Sequence, residues 1–186
     1  MLSKKVPSVF ITPQFQEVKP FTENIAAVKI GDKWGYIKTD GTFLLNPQFQ
    51  AANPFRGGIA SVKIDDKWGY INSNGDTLCT PQFDEARNFA GNFAWVKIAD
   101  KWGIIDRKGK IIKNPQFDDA RNFAFGVAMV KIEDKWGFID KAGKVVIEPK
   151  FDYADPFSEG LARVYISNYG DGYIDKAGKY VWEPTK

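Results

Sequence analysis

The chain has 186 residues, 28 of them aromatic (15 Phe, 6 Trp and 7 Tyr), one cysteine, Cys79, and no histidine. Lacking imidazole and a second thiol, it cannot build a Ser-His-Asp or Cys-His nucleophile system, a His-containing zinc site or a disulfide framework. Its 26 Lys+Arg against 23 Asp+Glu lack the one-sided excess that neutralising a nucleic acid requires, and no run approaches the 18 apolar residues of a membrane span, so the expectation is a cytoplasmic protein that engages neither nucleic acid nor membrane.

From its start the sequence repeats itself. Pro7 and Pro13 interrupt the opening stretch before any signal-peptide core could form. Val9–Phe15 (VFITPQF) reads instead as a fragment of the unit that follows, a partial third-strand cap at 7–13. Trp-Gly then occurs at Trp34-Gly35, Trp68-Gly69, Trp102-Gly103 and Trp136-Gly137, 34 residues apart each time. Residues 81–114 laid over 115–148 agree at 21 of 34 positions without a gap. A fifth, irregular copy over 149–184 carries one extra residue and has Asp171-Gly172 where the others have Trp-Gly. The whole of 1–186 therefore reads as one domain of five tandem units.

Each unit predicts three short strands and a connector. In the first strand Ala26, Val28 and Ile30, and their equivalents down to Ala162, Val164 and Ile166, alternate with variable residues and mark a buried face. A two-residue turn such as Asp65-Asp66 leads to the second strand, KWGYI or KWGFI. A turn holding Gly41, Gly75, Gly109, Gly143 or Gly178 leads to the third, expected to stop at Pro47, Pro81, Pro115, Pro149 or Pro184 because proline has no N–H for a ladder. The connector runs F-x-x-A-x-x-F, and its two rings are expected to anchor over the sheet. Glycine in mid-strand is tolerated where a backbone must come close. It persists in all five units, so we expect the Trp ring to lie over a neighbouring backbone. Four Trp-Gly tryptophans, ten connector phenylalanines and Tyr36, Tyr70, Phe138 and Tyr173 are thus frame residues, 18 of the 28 aromatics.

Taken together, KWGYI, G-x-x-x-x-x-P-x-F, x-x-A-x-x-F and A-x-V resemble the WG (KWG) repeat of bacterial proteins over residues 7–184. The resemblance implies an all-β repeat module, generally without assigned enzymatic activity and suspected of binding proteins or ligands. It carries over no catalytic residues.

The fold expected is all-β, a tandem repeat of three-stranded antiparallel meanders in an open β-solenoid-like array, with a small closed five-bladed propeller as the alternative. Five first strands, five second strands and six third-strand copies favour the open form, since ring closure tends to keep the counts equal.

Because recurring residues build the frame, specificity is expected where units differ on one face. The column opposite the Ala-Val-Ile face is Ala27, Ser61, Trp95, Met129 and Arg163. Trp95 and Met129 beside Arg163 form a candidate protein-binding spot, with Ser61 in the same column; the competing reading makes them core, covered by connector phenylalanines. Phe125, Tyr153 and Trp182 are aromatics without recurring counterparts, candidates for stacking on a ligand, although Trp182 also suits a cover for the last unit's core. Lys29, Lys63, Lys97 and Lys131 form a ladder, but Asp32, Asp66, Asp100 and Asp134 follow on the turns and point to a mixed-charge solvated face. Asp84-Glu85 and Asp118-Asp119 recur at equivalent positions without a specialised partner and are not read as catalytic carboxylates. Asn168, Asp171 and Asp175 lack calcium-loop spacing. The sequence thus predicts a non-enzymatic binding or scaffold module for a protein or peptide, with no metal and no cofactor. The alternative is a small-ligand or carbohydrate-binding protein.

Overall fold

A computed structural model describes residues 14–184; the expected cap at 7–13 lies outside them. Every regular element among the described residues is a strand. The first sheet comprises β1 (Glu17–Val18), β2 (Ile25–Ile30), β3 (Lys33–Lys38) and β4 (Phe43–Phe49), and the second β5 (Ala51–Ala52), β6 (Ile59–Ile64), β7 (Lys67–Asn72) and β8 (Thr77–Phe83). The third holds β9 (Glu85–Ala86), β10 (Phe93–Ile98), β11 (Lys101–Asp106) and β12 (Ile111–Phe117), and the fourth β13 (Asp119–Ala120), β14 (Val127–Ile132), β15 (Lys135–Asp140) and β16 (Val145–Phe151). The fifth is β17 (Tyr153–Ala154), β18 (Leu161–Ile166), β19 (Gly170–Asp175) and β20 (Tyr180–Trp182). All neighbouring strands within a sheet are antiparallel and consecutive in sequence.

The expected meander is present, with one addition. The connector supplies a fourth, two-residue edge strand, in which the recurring alanine pairs with the first long strand (Ala52 with Val62, Ala86 with Val96). Two residues are too few to show an alternation, so the sequence pattern hides them. A 34-residue unit can therefore make a four-stranded sheet.

Two-residue turns join the first and second long strands. Asp65 and Asp66 have φ of 46° and 61°, the left-handed pair of the hairpin turn whose twist matches the strands. The third long strand does not end at proline. It continues to Phe49, Phe83, Phe117 and Phe151, because the proline sits in a bulge where no ladder N–H is needed. In the first sheet the pairing passes from Trp34–Phe49 to Tyr36–Leu45, so one residue on β3, Gly35, faces three on β4. This accounts for the glycine. A Cβ on Gly35 would stand 2.6 Å from the Leu45 oxygen and 2.7 Å from the Pro47 nitrogen. The close approach inferred from sequence is real, but it is the bulged third strand that lies over the glycine.

The five sheets do not continue one another edge to edge. They stack face to face, and each interface is a core cluster. Tyr36 and Trp34 pack with Phe55, Ala60 and Val62 between the first and second sheets, and the pattern repeats to the fifth. The Ala-Val column is the face each sheet turns to its predecessor, and the opposite column is the face it turns to its successor. Polar links reinforce the stack. Tyr36 Oη donates to the Asn53 carbonyl and Tyr70 Oη to that of Arg87, both at 2.7 Å. Lys19 and Arg87 lie 5.1 and 4.2 Å from the Trp34 and Trp102 rings while donating to the carbonyls of Ala52 and Ala120 in the next sheet. Among the described residues no strand pairing and no core cluster joins the fifth sheet to the first, and the stack is open.

Candidate functional site

The variable column is the place to look for a site, and its register shows what it does. Its members lie directly opposite second-strand residues: Ala27 opposite Tyr36, Ser61 opposite Tyr70, Trp95 opposite Ile104, Met129 opposite Phe138, and Arg163 opposite Tyr173. Three of these pairs add a small or flexible residue to an aromatic ring, and one adds a tryptophan to an isoleucine. The partner volume is shared between two positions, as a close-packed interface demands.

Trp95 is therefore core. It is 3% exposed, its ring stacks on Phe123 of the fourth sheet at 6.0 Å and 16°, and it meets Phe117 edge-on. Phe123 occupies the role that Phe55, Phe89 and Phe157 fill against Tyr36, Tyr70 and Phe138, and Trp95 takes the space that Ile104 leaves. Met129 is 5% and Ser61 1% exposed. The Ser61 hydroxyl accepts from Asn53 Nδ2 at 2.9 Å. The expected surface spot of Trp95, Met129 and Ser61 does not exist, because the next sheet covers it with its connector phenylalanine.

Arg163 is the exception. The fifth sheet's forward face meets no successor among the described residues, and its residues are unlike those of the other four. Cross-strand partners share a face. One row runs Arg163, Tyr173, Trp182 and the next Tyr153, Tyr165, Asp171. All six side chains are exposed, Trp182 at 68%. Where other sheets carry a Trp over the next sheet, Asp171 accepts from Arg163 Nε at 2.9 Å, and Asp155 lies 3.9 Å from the same guanidinium. Tyr153 donates to Asp155 at 2.7 Å, and that bond to a carboxylate raises the phenol's pKa. An apolar stacking face has thus become an exposed tyrosine-tryptophan surface that carries an ion pair. Trp182 covers no core, and Tyr173, grouped with the frame by its column, is exposed. The signal for this face was in the sequence as departures from the unit: Asp171 for Trp, Tyr165 for Lys, Arg163 for a small or apolar residue.

Phe125 lies elsewhere, 59% exposed on a turn between β13 and β14 with φ of 51°. The lysine ladder is neutralised, Lys29 by Glu17, Lys63 by Asp66, Lys97 by Glu85 and Lys131 by Asp134. The recurring acids have framework partners. Asp84, Asp118 and Asp152 each accept from a lysine of the preceding sheet (Lys67, Lys101, Lys135) and from a turn N–H of their own sheet. The lysine bond is the main cause that holds all three carboxyls below their ordinary range, Asp152 at about 2. Cys79 is buried, and burial pushes its thiol pKa up, away from nucleophilic use. Among the described residues no group of three or more metal-ligating side chains comes together.

Four-stranded antiparallel sheets stacked face to face are the building unit of β-propellers, here in an open row. Among solved structures, Kluyveromyces lactis Hsv2p superposes with a TM-score of 0.51 at 10% identity, over 92% of this chain and 63% of that one. BamB from Moraxella catarrhalis gives 0.47 at 8% identity over 87% and 58%, and the WD40 β-propeller domain of Doa1 gives 0.42 at 10% over 90% and 67%. The chain spans about three-fifths of the length of the Hsv2 and BamB structures it matches. No curated protein matches in sequence. The family model for WG containing repeat matches five times in tandem, at 8–34, 34–68, 68–102, 102–136 and 136–169, and the chain belongs to that family.

Proposed function

We propose that this chain is a cytoplasmic, non-catalytic protein-binding module whose partner docks on the uncovered face of the fifth sheet. The observation that carries the reading is the row Arg163, Tyr173, Trp182 beside Tyr153 and Tyr165, all exposed on one face. Tyrosine, tryptophan and arginine are the residues that dominate protein interfaces, since each brings large area, few rotatable bonds and a polar tip. Such a face suits a partner surface of apolar or aromatic side chains and backbone carbonyls, with an acceptor for Arg163 as it exchanges Asp155 for the partner. The four stacked sheets behind it hold it rigid, so little ordering cost falls on this side of the complex.

A second reading has one observation of its own. A groove of about 360 Å³ is lined by Ile166, Tyr169, Tyr180, Glu183 and Pro184, and two tyrosines with a carboxylate suit a sugar ring. Both readings meet in one experiment: capture of cell proteins on the immobilised chain and on its Tyr173→Ala/Trp182→Ala variant, with a glycan array run on each. Proteins held by the wild type and lost from an equally stable variant support the protein-binding reading. Glycan binding that survives the variant, with no protein difference, sinks it in favour of the groove.

A further inference from the structure

A different surface carries a further inference. The turns that follow β3, β7, β11, β15 and β19 lie on the same rim as the short turns that precede β2, β6, β10, β14 and β18, as the bond from Thr39 N to the Asn24 carbonyl shows. Along this rim the charge is uneven. In the first two units the turns read Lys38-Thr39-Asp40-Gly41-Thr42 and Asn72-Ser73-Asn74-Gly75-Asp76. In the last three they read Asp106-Arg107-Lys108-Gly109-Lys110, Asp140-Lys141-Ala142-Gly143-Lys144 and Asp175-Lys176-Ala177-Gly178-Lys179.

The aspartate that opens each of these three turns is already occupied. Asp106, Asp140 and Asp175 each accept two backbone N–H groups at 2.8–3.0 Å, which shapes the turn. Arg107 is spent on the carbonyls of Gly57 and Gly91. Lys108, Lys110, Lys141, Lys144, Lys176 and Lys179 are all exposed, and among the described residues none has a carboxylate within 4.0 Å. On the opposite rim Lys29, Lys63, Lys67, Lys97, Lys101, Lys131 and Lys135 each pair with a carboxylate, and among the described residues Lys33 does not. Phe125 stands within this basic stretch, where the other units have Glu23, Gly57, Gly91 and Glu159. It is 59% exposed in a left-handed conformation that a bulky side chain disfavours, with Lys176 Nζ 5.4 Å from its ring. An exposed aromatic held in a disfavoured conformation amid unpaired cations points to a ligand.

We propose that this rim of the third to fifth sheets, with Phe125 in it, docks an acidic polypeptide segment that places one apolar side chain on the Phe125 ring. Stacked sheets stand about 10 Å apart and an extended chain rises about 3.3 Å per residue, so successive turns meet every third residue of such a segment. Six lysines over three turns match a few carboxylates. The chain as a whole, with 26 Lys+Arg against 23 Asp+Glu, lacks the one-sided excess that a nucleic acid calls for.

The test uses the whole chain and a labelled twelve-residue peptide of Glu and Asp with one central Leu, followed by fluorescence anisotropy across a salt series. The same peptide with Gln and Asn, oligo-dT of equal length, and vesicles of anionic phospholipid serve as the other arms. The acidic peptide is expected to bind. Lys108→Ser/Lys141→Ser/Lys176→Ser should weaken it about tenfold and flatten its salt dependence. Phe125→Gly should weaken it about threefold while leaving the melting temperature unchanged or higher, because glycine accepts the left-handed turn. The proposal is overturned if the acidic peptide fails to bind, if either variant binds it as the wild type does, if the Gln/Asn peptide binds equally well, or if the oligonucleotide or the vesicles bind more tightly. Tyr173→Ala/Trp182→Ala should not affect this binding, which keeps the test separate from that of the fifth-sheet face.

Discussion

Trp95 and Gly103 show how narrowly single positions are fitted. Trp95 stacks on Phe123 because Ile104 beside it is too small to do so, and its indole N–H has no hydrogen-bond partner in that interface. The side chain is held by packing alone. Trp95→Ala is expected to cost about 3–5 kcal/mol in urea unfolding, whereas exchange of the exposed Trp182 for alanine should leave the unfolding midpoint nearly unchanged. Gly103 faces the bulge of β12, where a Cβ would stand 2.7 Å from the Lys113 oxygen and 2.8 Å from the Pro115 nitrogen. Both atoms are backbone, so Gly103→Ala must move a strand, and about 1–3 kcal/mol of stability should be lost. A Gly103→Ala protein as stable as the wild type would show that the bulge relaxes without cost.

At the scale of the sheet, the clamps between neighbours depend on acidity. Asp84, Asp118 and Asp152 are ionised more readily in the folded chain than in the unfolded one, with Asp152 drawn from 3.8 to about 2 chiefly by the Lys135 bond. A depressed carboxyl pKa adds stability that is complete above the unfolded value and is lost as the pH falls through the folded one. For Asp152 the window therefore runs from about pH 4 down to about pH 2, the interval its own two pKa values bound, and for Asp84 and Asp118 the loss begins at the same upper end. Thermal melts should fall across that range in the wild type. The triple variant Asp84→Asn/Asp118→Asn/Asp152→Asn should melt lower at neutral pH and show a flatter acid limb; parallel curves would mean that the three clamps do not bear on folding. The two-residue edge strand and the bulged third strand belong to this scale as well. Neither shows as a pattern of alternation, because one is too short and the other passes through a proline, and both are fixed by pairing with a strand already in place.

For the whole molecule, the fifth sheet is the last of the described stack, and its forward face is unlike those of the other four. Arg163 and Asp171 pair with each other where the other sheets turn small or apolar residues and tryptophan to a neighbour. Burying that pair under another sheet would strip both charges of water. Replacing them with the residues of the first unit, Arg163→Ala/Asp171→Trp, should restore a stacking face and make the chain self-associate, visible as concentration-dependent sedimentation. A variant that sediments as the wild type does at every concentration would show that the ion pair is not what keeps this face from stacking.

Much of this was legible in the residues. The 34-residue period, the all-β unit, its left-handed turns, the glycine beneath a close backbone and the odd character of the last unit all follow from the order of side chains, because local sterics and alternation act over a few residues. Which face of a strand meets water was not legible. The column Ala27, Ser61, Trp95, Met129 and Arg163 is one row by alternation, yet four members are buried and one is exposed. The difference lies only in whether another sheet stands in front. Burial is a property of the neighbour across the interface, and sheets that stack face to face without hydrogen-bonding edge to edge leave no register in the sequence to say so. Local chemistry thus determined the unit, and packing between units decided which of its variable residues are free to bind.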